Sequence, residues 1–250
     1  MNTIYLDHAA TSPVAPEVIE TLATAMADVY GNASSIHKDG RHARKVLDEA
    51  RASLAQKINA NMTGIIFTSG GTEADNTAIF GTAYARATEG KHIITTQIEH
   101  HAVLHACEKL EREGFDVTYL PVDATGRVSI EDVQQALRED TILVTIMFGN
   151  NEVGTIQPIA EIGALLRDHP ATFHTDAVQA FGLEAIDVNA MRIDLLSVSA
   201  HKMNGPKGIG FLYAKQDVKF ASLMHGGSQE KKRRAGTENV PAAVAFAKAA

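Results

Sequence analysis

Four short stretches of the chain put reactive or anion-binding side chains where apolar runs end. In "SVSAHKMNGPKG" (197–208), Lys202 follows His201 directly after the apolar run "IDLLSVS". A lysine ammonium that is partly desolvated and near other cations loses its proton more readily, and the free amine is a nucleophile toward carbonyls and a general base. In "HTDAVQA" (174–180), Asp176 ends another apolar run, where a carboxylate costs free energy unless it is paired. A protonated ring nitrogen would hold it ionised, and Gln179, three residues on, can donate to an oxygen of the same ligand; taken alone, Asp176 equally suits a helix N-cap. In "FTSGGTEADN" (67–76), two glycines separate a strand-like run from a helical pattern that begins near Glu73. Backbone N–H groups exposed there suit an anion such as phosphate, and Thr72 adds a hydroxyl, although by itself the stretch is also a plain strand-to-helix turn. In "EHHAV" (99–103), His100 follows the run 92–98, and its flat imidazole can stack on a planar ligand. His101 and His105 have the four-residue spacing of a metal pair, but no carboxylate or cysteine cluster accompanies them in sequence, so no metal site is expected.

Jointly, these stretches call for a ligand with a phosphate, an aldehyde for Lys202, a pyridinium nitrogen for Asp176, a phenolic oxygen for Gln179 and a flat ring for His100. Pyridoxal phosphate (PLP) has all five. Two better-known phosphate motifs do not apply. "GNNEVGT" (149–155) has the glycine spacing of a P-loop without the Lys-Ser/Thr, and "GPKGIG" (205–210) precedes a strand where a dinucleotide fingerprint must precede a helix. A dehydrogenase reading fails on the same ground.

The elements that must position these groups alternate between two periods. Apolar, β-branched-rich runs of strand length occupy 64–69, 92–98, 116–122, 141–148, 171–177, 193–199 and 209–214, and several lack polar alternation, as strands covered on both faces do. Helical patterns occupy 16–30, 40–58, 73–86, 102–113, 130–138 and 159–167, with Ser129 to Asp132 resembling a capping box. Alternation of this kind predicts an α/β fold with a mostly parallel central sheet and helices on both faces. The link between the last two strands is too short for a crossover helix, so they are expected to pair antiparallel, as a hairpin or an edge pair. Reactive groups in such a sheet gather at the carboxyl ends of strands, where all four stretches lie. "VPAAVAFAKAA" (240–250) reads as a helix without a stop signal, as in a domain interrupted within it.

Composition sets outer limits. The 250 residues are 45% hydrophobic and 21% charged, ordinary globular usage. A formal net charge of −7 opposes a general nucleic-acid binder. The basic block 231–234 reads as a solvated loop or, more sharply, as an anion contact. The single cysteine, Cys107, permits no intramolecular disulfide and fits a reducing compartment. The absence of a secretory pattern or a long apolar run leads to the expectation of a soluble, cytoplasmic protein with no membrane contact.

The sequence resembles the cysteine desulfurases of the class V aminotransferase group, fold type I among PLP enzymes. The resemblance is carried by "YLDHAATSPV" (5–14), "GNASSIHKDGRHAR" (31–44), "TSGGTEADN", "IEHHAV", "NNEVGTIQPI" (150–159), "HTDAVQA", "SVSAHKMNGPKGIG" and "MHGGSQEKKRRAGTENV" (224–240). It implies that Lys202 bonds covalently to the PLP aldehyde and later takes the substrate Cα proton. His100 would stack on the ring and assist proton transfer, Asp176 would pair with the ring nitrogen and Gln179 would bond the phenolic oxygen. Asn151 would lie near that oxygen and the substrate carboxylate. Gly71, Thr72, Ser199 and His201 would hold the phosphate, and Thr237 would reach the phosphate of the other subunit in a homodimer. The implied substrate is L-cysteine, converted to L-alanine, with the sulfur passed as a persulfide to an acceptor protein for iron–sulfur cluster assembly or tRNA thiolation. The resemblance further implies that 16–250 form the large PLP-binding domain, that 1–15 would join a small domain, and that this carboxyl-terminal small domain, with its persulfide-forming cysteine and an arginine for the substrate carboxylate, is absent. Cys107, in the helical "HAVLHACEKL", reads as a core thiol and no replacement for that cysteine. His101 stands where lysine is common and Gly71 where alanine is common. A selenocysteine lyase, an aminotransferase or a non-catalytic PLP-fold scaffold remain alternatives.

Overall fold

The structure is a computed structural model and describes residues 4–250. Its centre is a seven-stranded sheet of order β1-β7-β6-β5-β4-β2-β3. The strands are β1 (Ile65–Thr68), β2 (His92–Thr96), β3 (Asp116–Leu120), β4 (Thr141–Thr145), β5 (Thr172–Asp176), β6 (Leu195–Ser199) and β7 (Gly210–Ala214). Only β7 runs against its neighbours, pairing antiparallel with β6 on one side and with β1 on the other. The final pair is therefore the expected antiparallel hairpin, but not an edge: β1 lies outside it.

Side-chain alternation along the strands explains why helices cover both faces. In β7, Phe211 and Tyr213 enter one core cluster while Leu212 and Ala214 enter another. In β1, Ile65 and Phe67 face the first and Ile66 the other. Each face is apolar, so each must be buried. One face carries α1 (Pro16–Asp28), α2 (Lys38–Gln56) and α7 (Val240–Ala249), packed on each other, with α5 (Ile130–Ala136) and α6 (Ile159–Leu165) farther along. Here Phe211 stacks on Phe246, and Phe181 meets both edge-on. The opposite face carries α3 (Gly71–Arg86) and α4 (His101–Arg112), whose Ile79, Val103 and Leu110 pack with Ile93 and Leu143. Cys107 is fully buried in that cluster, the core thiol the sequence indicated.

Several boundaries differ from the sequence reading for local reasons. The third strand stops at Leu120, before Pro121, which has no N–H to continue a ladder. The run 141–148 leaves regular pairing after Thr145, yet Ile146 and Phe148 still donate to the carbonyls of His174 and Asp176. The helix after β1 begins at Gly71, two residues earlier than expected, with Gly70 at φ +153° as its cap. Ser129 accepts from the Asp132 N–H, but its hydroxyl donates to Glu131, so only half of the capping box forms.

Candidate active site

The carboxyl ends of β1, β2, β4, β5 and β6 open on one cavity of about 260 Å³. Each strand supplies one or more groups at its end. From β1 and the start of α3 come Gly71 and Thr72; from the turn after β2, His100; from the segment after β4, Met147, Gly149 and Asn151. From β5 come Asp176, Val178 and Gln179, and from β6 and the tight turn that follows it come Ser199, His201 and Lys202. All the residues assigned to PLP in the sequence line this one space except Thr237. That residue is exposed, in the segment before α7, and does not line the cavity.

Lys202 lies on the 3-10 turn Ala200–Lys202, not on the strand itself. Its Nζ donates to the carbonyl oxygens of Ala9 and of Ala10, the latter at 2.9 Å, and no carboxylate pairs with it. Burial pushes its ammonium below the ordinary lysine range, against the pull of Asp176, Asp7 and Glu152. The amino-terminal segment that supplies those carbonyls is fastened to the same turn: Ser12 N–H donates to the His201 carbonyl at 2.9 Å, and Ala15 N–H to that of Asn204 at 3.0 Å. His201 Nδ1 lies 3.1 Å from the Thr11 hydroxyl, and burial, then the charges of Lys202 and Lys207, lower its proton affinity.

Asp176 is buried, and its carboxylate accepts from the Val178 N–H at 2.9 Å. Burial raises its pKa, while that N–H, His100 and Lys202 oppose the rise. His100 caps α4: its Nδ1 accepts from the Ala102 N–H at 3.1 Å, which fixes the ring and leaves Nε2 free of that duty. Gln179 donates to the Ala9 carbonyl at 2.9 Å, and Asn151 to the Glu152 carboxylate at 2.6 Å.

Two carboxyls missed by the sequence reading belong to this neighbourhood. Asp75, on α3, lines the cavity and is 1% exposed, and its Oδ1 has no hydrogen-bond partner. A ligand atom each of Asp75, His100 and Asp176 lie within 4.8 Å of one another. Glu99 is buried one residue before His100; it accepts from Thr96 at 2.7 Å and from the Met147 N–H at 3.0 Å. Burial pushes it up to about 8 against those donors. Asp75 shares the buried stripe of α3 with Ala78, Ile79 and Thr82, an odd place for an acid that only the packing reveals.

His101 and His105 do stack, with ring centroids 5.1 Å apart, as their spacing allows. The basic block divides. Lys231 and Lys232 are exposed, whereas Arg234 binds Glu73 of α3 at 2.8 Å and Arg233 donates to the Thr63 carbonyl at 2.6 Å. The anion that meets this block within the chain is thus the Glu73 carboxylate, beside the glycine turn.

The cavity fits PLP by its donor and acceptor set. A buried carboxylate without an ion-pair partner among the described residues faces it, as a ring N–H⁺ requires. At the other side, the close-packed glycine turn leaves backbone toward the ligand: a Cβ on Gly71 would come within 2.7 Å of Val178. The Lys202 amine, its proton affinity lowered by burial, lines the same space.

A model of the class-V aminotransferase family matches residues 4–250. The chain is 65% identical over 249 residues to the putative cysteine desulfurase IscS 1 of Bacillus subtilis, covering 100% of this chain and 66% of that protein. It is 54% identical over 246 residues to the cysteine desulfurase IscS of Methanosarcina thermophila, covering 98% of this chain and 61% of that one. The solved structure of SspA in complex with cysteine superposes with a TM-score of 0.96 at 43% identity, over 99% of this chain and 72% of the other. A NifS-like protein superposes with a TM-score of 0.97 at 38% identity, over 99% and 68%. The chain thus spans 61% to 66% of the length of these two curated relatives.

Proposed function

Because the chain belongs to the class-V aminotransferase family, we propose that its cavity is a PLP site and that these residues perform the substrate-activating half of a cysteine desulfurase. The observation that carries the reading is the pairing, in one cavity, of a lysine amine bound by carbonyl oxygens with a buried aspartate at the end of the neighbouring parallel strand. PLP, when bound, supplies an aldehyde for covalent attachment and a ring that accepts the electron pair left at the substrate α carbon.

The chain's own groups then have distinct tasks. Lys202 Nζ would hold the cofactor through its aldehyde and would be the base placed to take the substrate α proton; its lowered proton affinity leaves more of it as the free amine that both roles need. Asp176 holds the ring nitrogen protonated. His100, fixed by its capping bond, packs on the ring face and serves as a proton carrier near it. Gln179 and Asn151 address the phenolic oxygen and the substrate carboxylate. Gly71, Thr72, Ser199 and His201 bind the phosphate through backbone N–H, hydroxyl and imidazole. Thr237, exposed outside the cavity, is assigned to the phosphate of a second copy in a homodimer.

The substrate assigned is L-cysteine, the sulfur leaving to an acceptor protein. Cys107 does not supply the thiol that takes it. Burial raises its pKa far above the thiol range, so it carries no thiolate at neutral pH. The 250 residues are therefore expected to bind PLP and activate cysteine, and to need a thiol from outside them for turnover. Residues 1–15 are assigned as a segment that leaves the site for a small domain. Residues 9–15 bond to the turn 201–204, while Ile4 and Leu6 are 80% and 85% exposed; positions 1–3 lie outside the described residues. No described helix is long and apolar enough to cross a membrane, and a cytoplasmic location is part of the proposal.

The decisive test is Lys202→Ala. Borohydride should fix PLP to the wild-type chain on the peptide that contains Lys202, and the variant should lose both this adduct and the visible absorption of the bound cofactor. An adduct at another lysine in the variant would overturn the assignment.

A further inference from the structure

Behind the floor of the cavity lies a group that the proposed chemistry leaves idle. Asp75 is on α3, the one helix of the opposite layer that crosses beneath the ends of β5 and β6, and its carboxyl reaches the same cavity as Asp176. It is 1% exposed, Oδ1 is without a hydrogen-bond partner, and no lysine or arginine pairs with it. Facing it is His174 of β5, whose Nε2 lies 3.7 Å from Oδ1. That imidazole is no counter-charge. Its two nitrogens are 2.8 Å from the Thr145 hydroxyl and 2.9 Å from that of Ser197, and burial lowers its pKa to about 3, so it is neutral. The other charged groups around Asp75 are Asp176 on β5 and Glu99 after β2, both acids. His100 at the start of α4 and Lys202 after β6 complete the lining on the open side.

Two carboxyls within 4.8 Å of each other, each 6% exposed or less, do not both ionise. Asp176 has a backbone N–H donor and two basic groups, His100 and Lys202, that favour its charge; Asp75 has the Ser197 hydroxyl alone. We propose that Asp75 is a positioning residue carried as the neutral acid, and that its proton leaves Asp176 to bear the negative charge the cavity presents to a ring nitrogen. Burial and then the charge of Asp176 raise the Asp75 pKa well above the carboxylate range, with Ser197 opposing, in the same direction as the geometry.

The consequence for the ring nitrogen rests on the PLP reading, but the protonation does not, so the two are tested separately. The first arm uses the cofactor-free chain with 13C-labelled aspartate carboxyls. At neutral pH its infrared spectrum should contain the carbonyl band of a protonated acid, and Asp75→Asn should remove it. A wild-type spectrum without that band, or a band that survives in Asp75→Asn and vanishes in Asp176→Asn, overturns the proposal. The second arm titrates PLP into each variant by fluorescence. Asp75→Asn, a neutral donor of the same shape, should bind within about threefold of wild type, whereas Asp75→Ala, which removes the donor and opens a void, should lose about tenfold or more. Equal losses in both variants would mean that Asp75 acts as an anion and would end the proposal. If the wild type itself takes up no PLP, the cofactor reading falls and the infrared arm alone decides the protonation.

Discussion

Two of the buried charge clusters among the described residues are built on opposite plans. Away from the cavity, Arg51 of α2 meets Glu230 in a bidentate pair at 2.7 and 2.8 Å. The pair is bonded further on both sides. Arg51 also donates to the Ile65 carbonyl at 2.7 Å, Glu230 also accepts from the Phe67 N–H at 3.2 Å, and the guanidinium lies 4.8 Å from the centre of the Phe67 ring. The chain even accepts left-handed backbone at Glu230, Lys231 and Lys232, with φ of 45°, 56° and 66°, where the pair fastens the loop to the sheet edge. At the cavity the plan is reversed. Asp75, Glu99 and Asp176 gather three acids with no arginine or lysine paired to them, and one oxygen is left without a partner. A balanced buried pair maintains a fold; an unbalanced cluster needs protons or a bound cation, and so marks the place where the molecule interacts with something other than itself.

The contrast breaks most visibly at the balanced end. Glu230→Ala strands the Arg51 guanidinium in the interior and should cost about 3–5 kcal/mol in urea denaturation. A loss of less than about 1 kcal/mol would show that water reaches Arg51 and that the pair is not the anchor described. At the unbalanced end the sign for stability reverses. Asp176→Asn should leave the urea midpoint unchanged or higher, because it removes a buried acid held above its usual range, while PLP affinity falls by about tenfold or more. A drop in both would mean that Asp176 is a structural residue.

The pH dependence sharpens the same point. Glu99 titrates at 4.5 in an unperturbed chain and at about 8 in the fold. Between those values the folded state binds the extra proton, so its contribution to stability is complete below the lower value and is lost as pH rises through the upper one. The cofactor-free chain should therefore become less stable from pH 4.5 to about 8, and Glu99→Gln should flatten that slope. The smallest effect is expected where charge is merely solvated. Lys45 and Glu49 pair along α2 at 3.7 Å with side chains 74% and 63% exposed, and Lys45→Ala should shift stability by less than about 0.5 kcal/mol.

Legibility in the sequence followed the same division. The candidate residues Lys202, Asp176, His100 and Gly71 were readable because each stands where an apolar run ends, and such ends share one edge of a parallel sheet. The two-faced sheet was readable because its strands lack polar alternation. Asp75 was not singled out, since a helix interior looks alike on paper whichever side meets the core, and only packing decides that this stripe is buried. Arg51 and Glu230 were missed for a related reason. They are 179 positions apart, and a long-range ion pair has no local spacing to betray it. Arg234 was read with its basic neighbours as a run of like charge, although the backbone turns through the left-handed region at Glu230–Lys232 and sends the next side chains inward.

The reversed direction of β7 has one last effect. Because it runs against β6 and β1, it delivers its first residue to the reactive end of the sheet, and that residue is Gly210. A methyl group there would meet the Val198 oxygen at 2.4 Å and Gly70 at 2.9 Å. The glycine turn and the lysine turn thus stand two strand widths apart, about 10 Å, with bare main chain between them. The same reversal brings the connection 200–209, with Lys202 on it, back to this end of the sheet, so the opening for a guest molecule is a product of strand polarity as much as of the side chains around its rim.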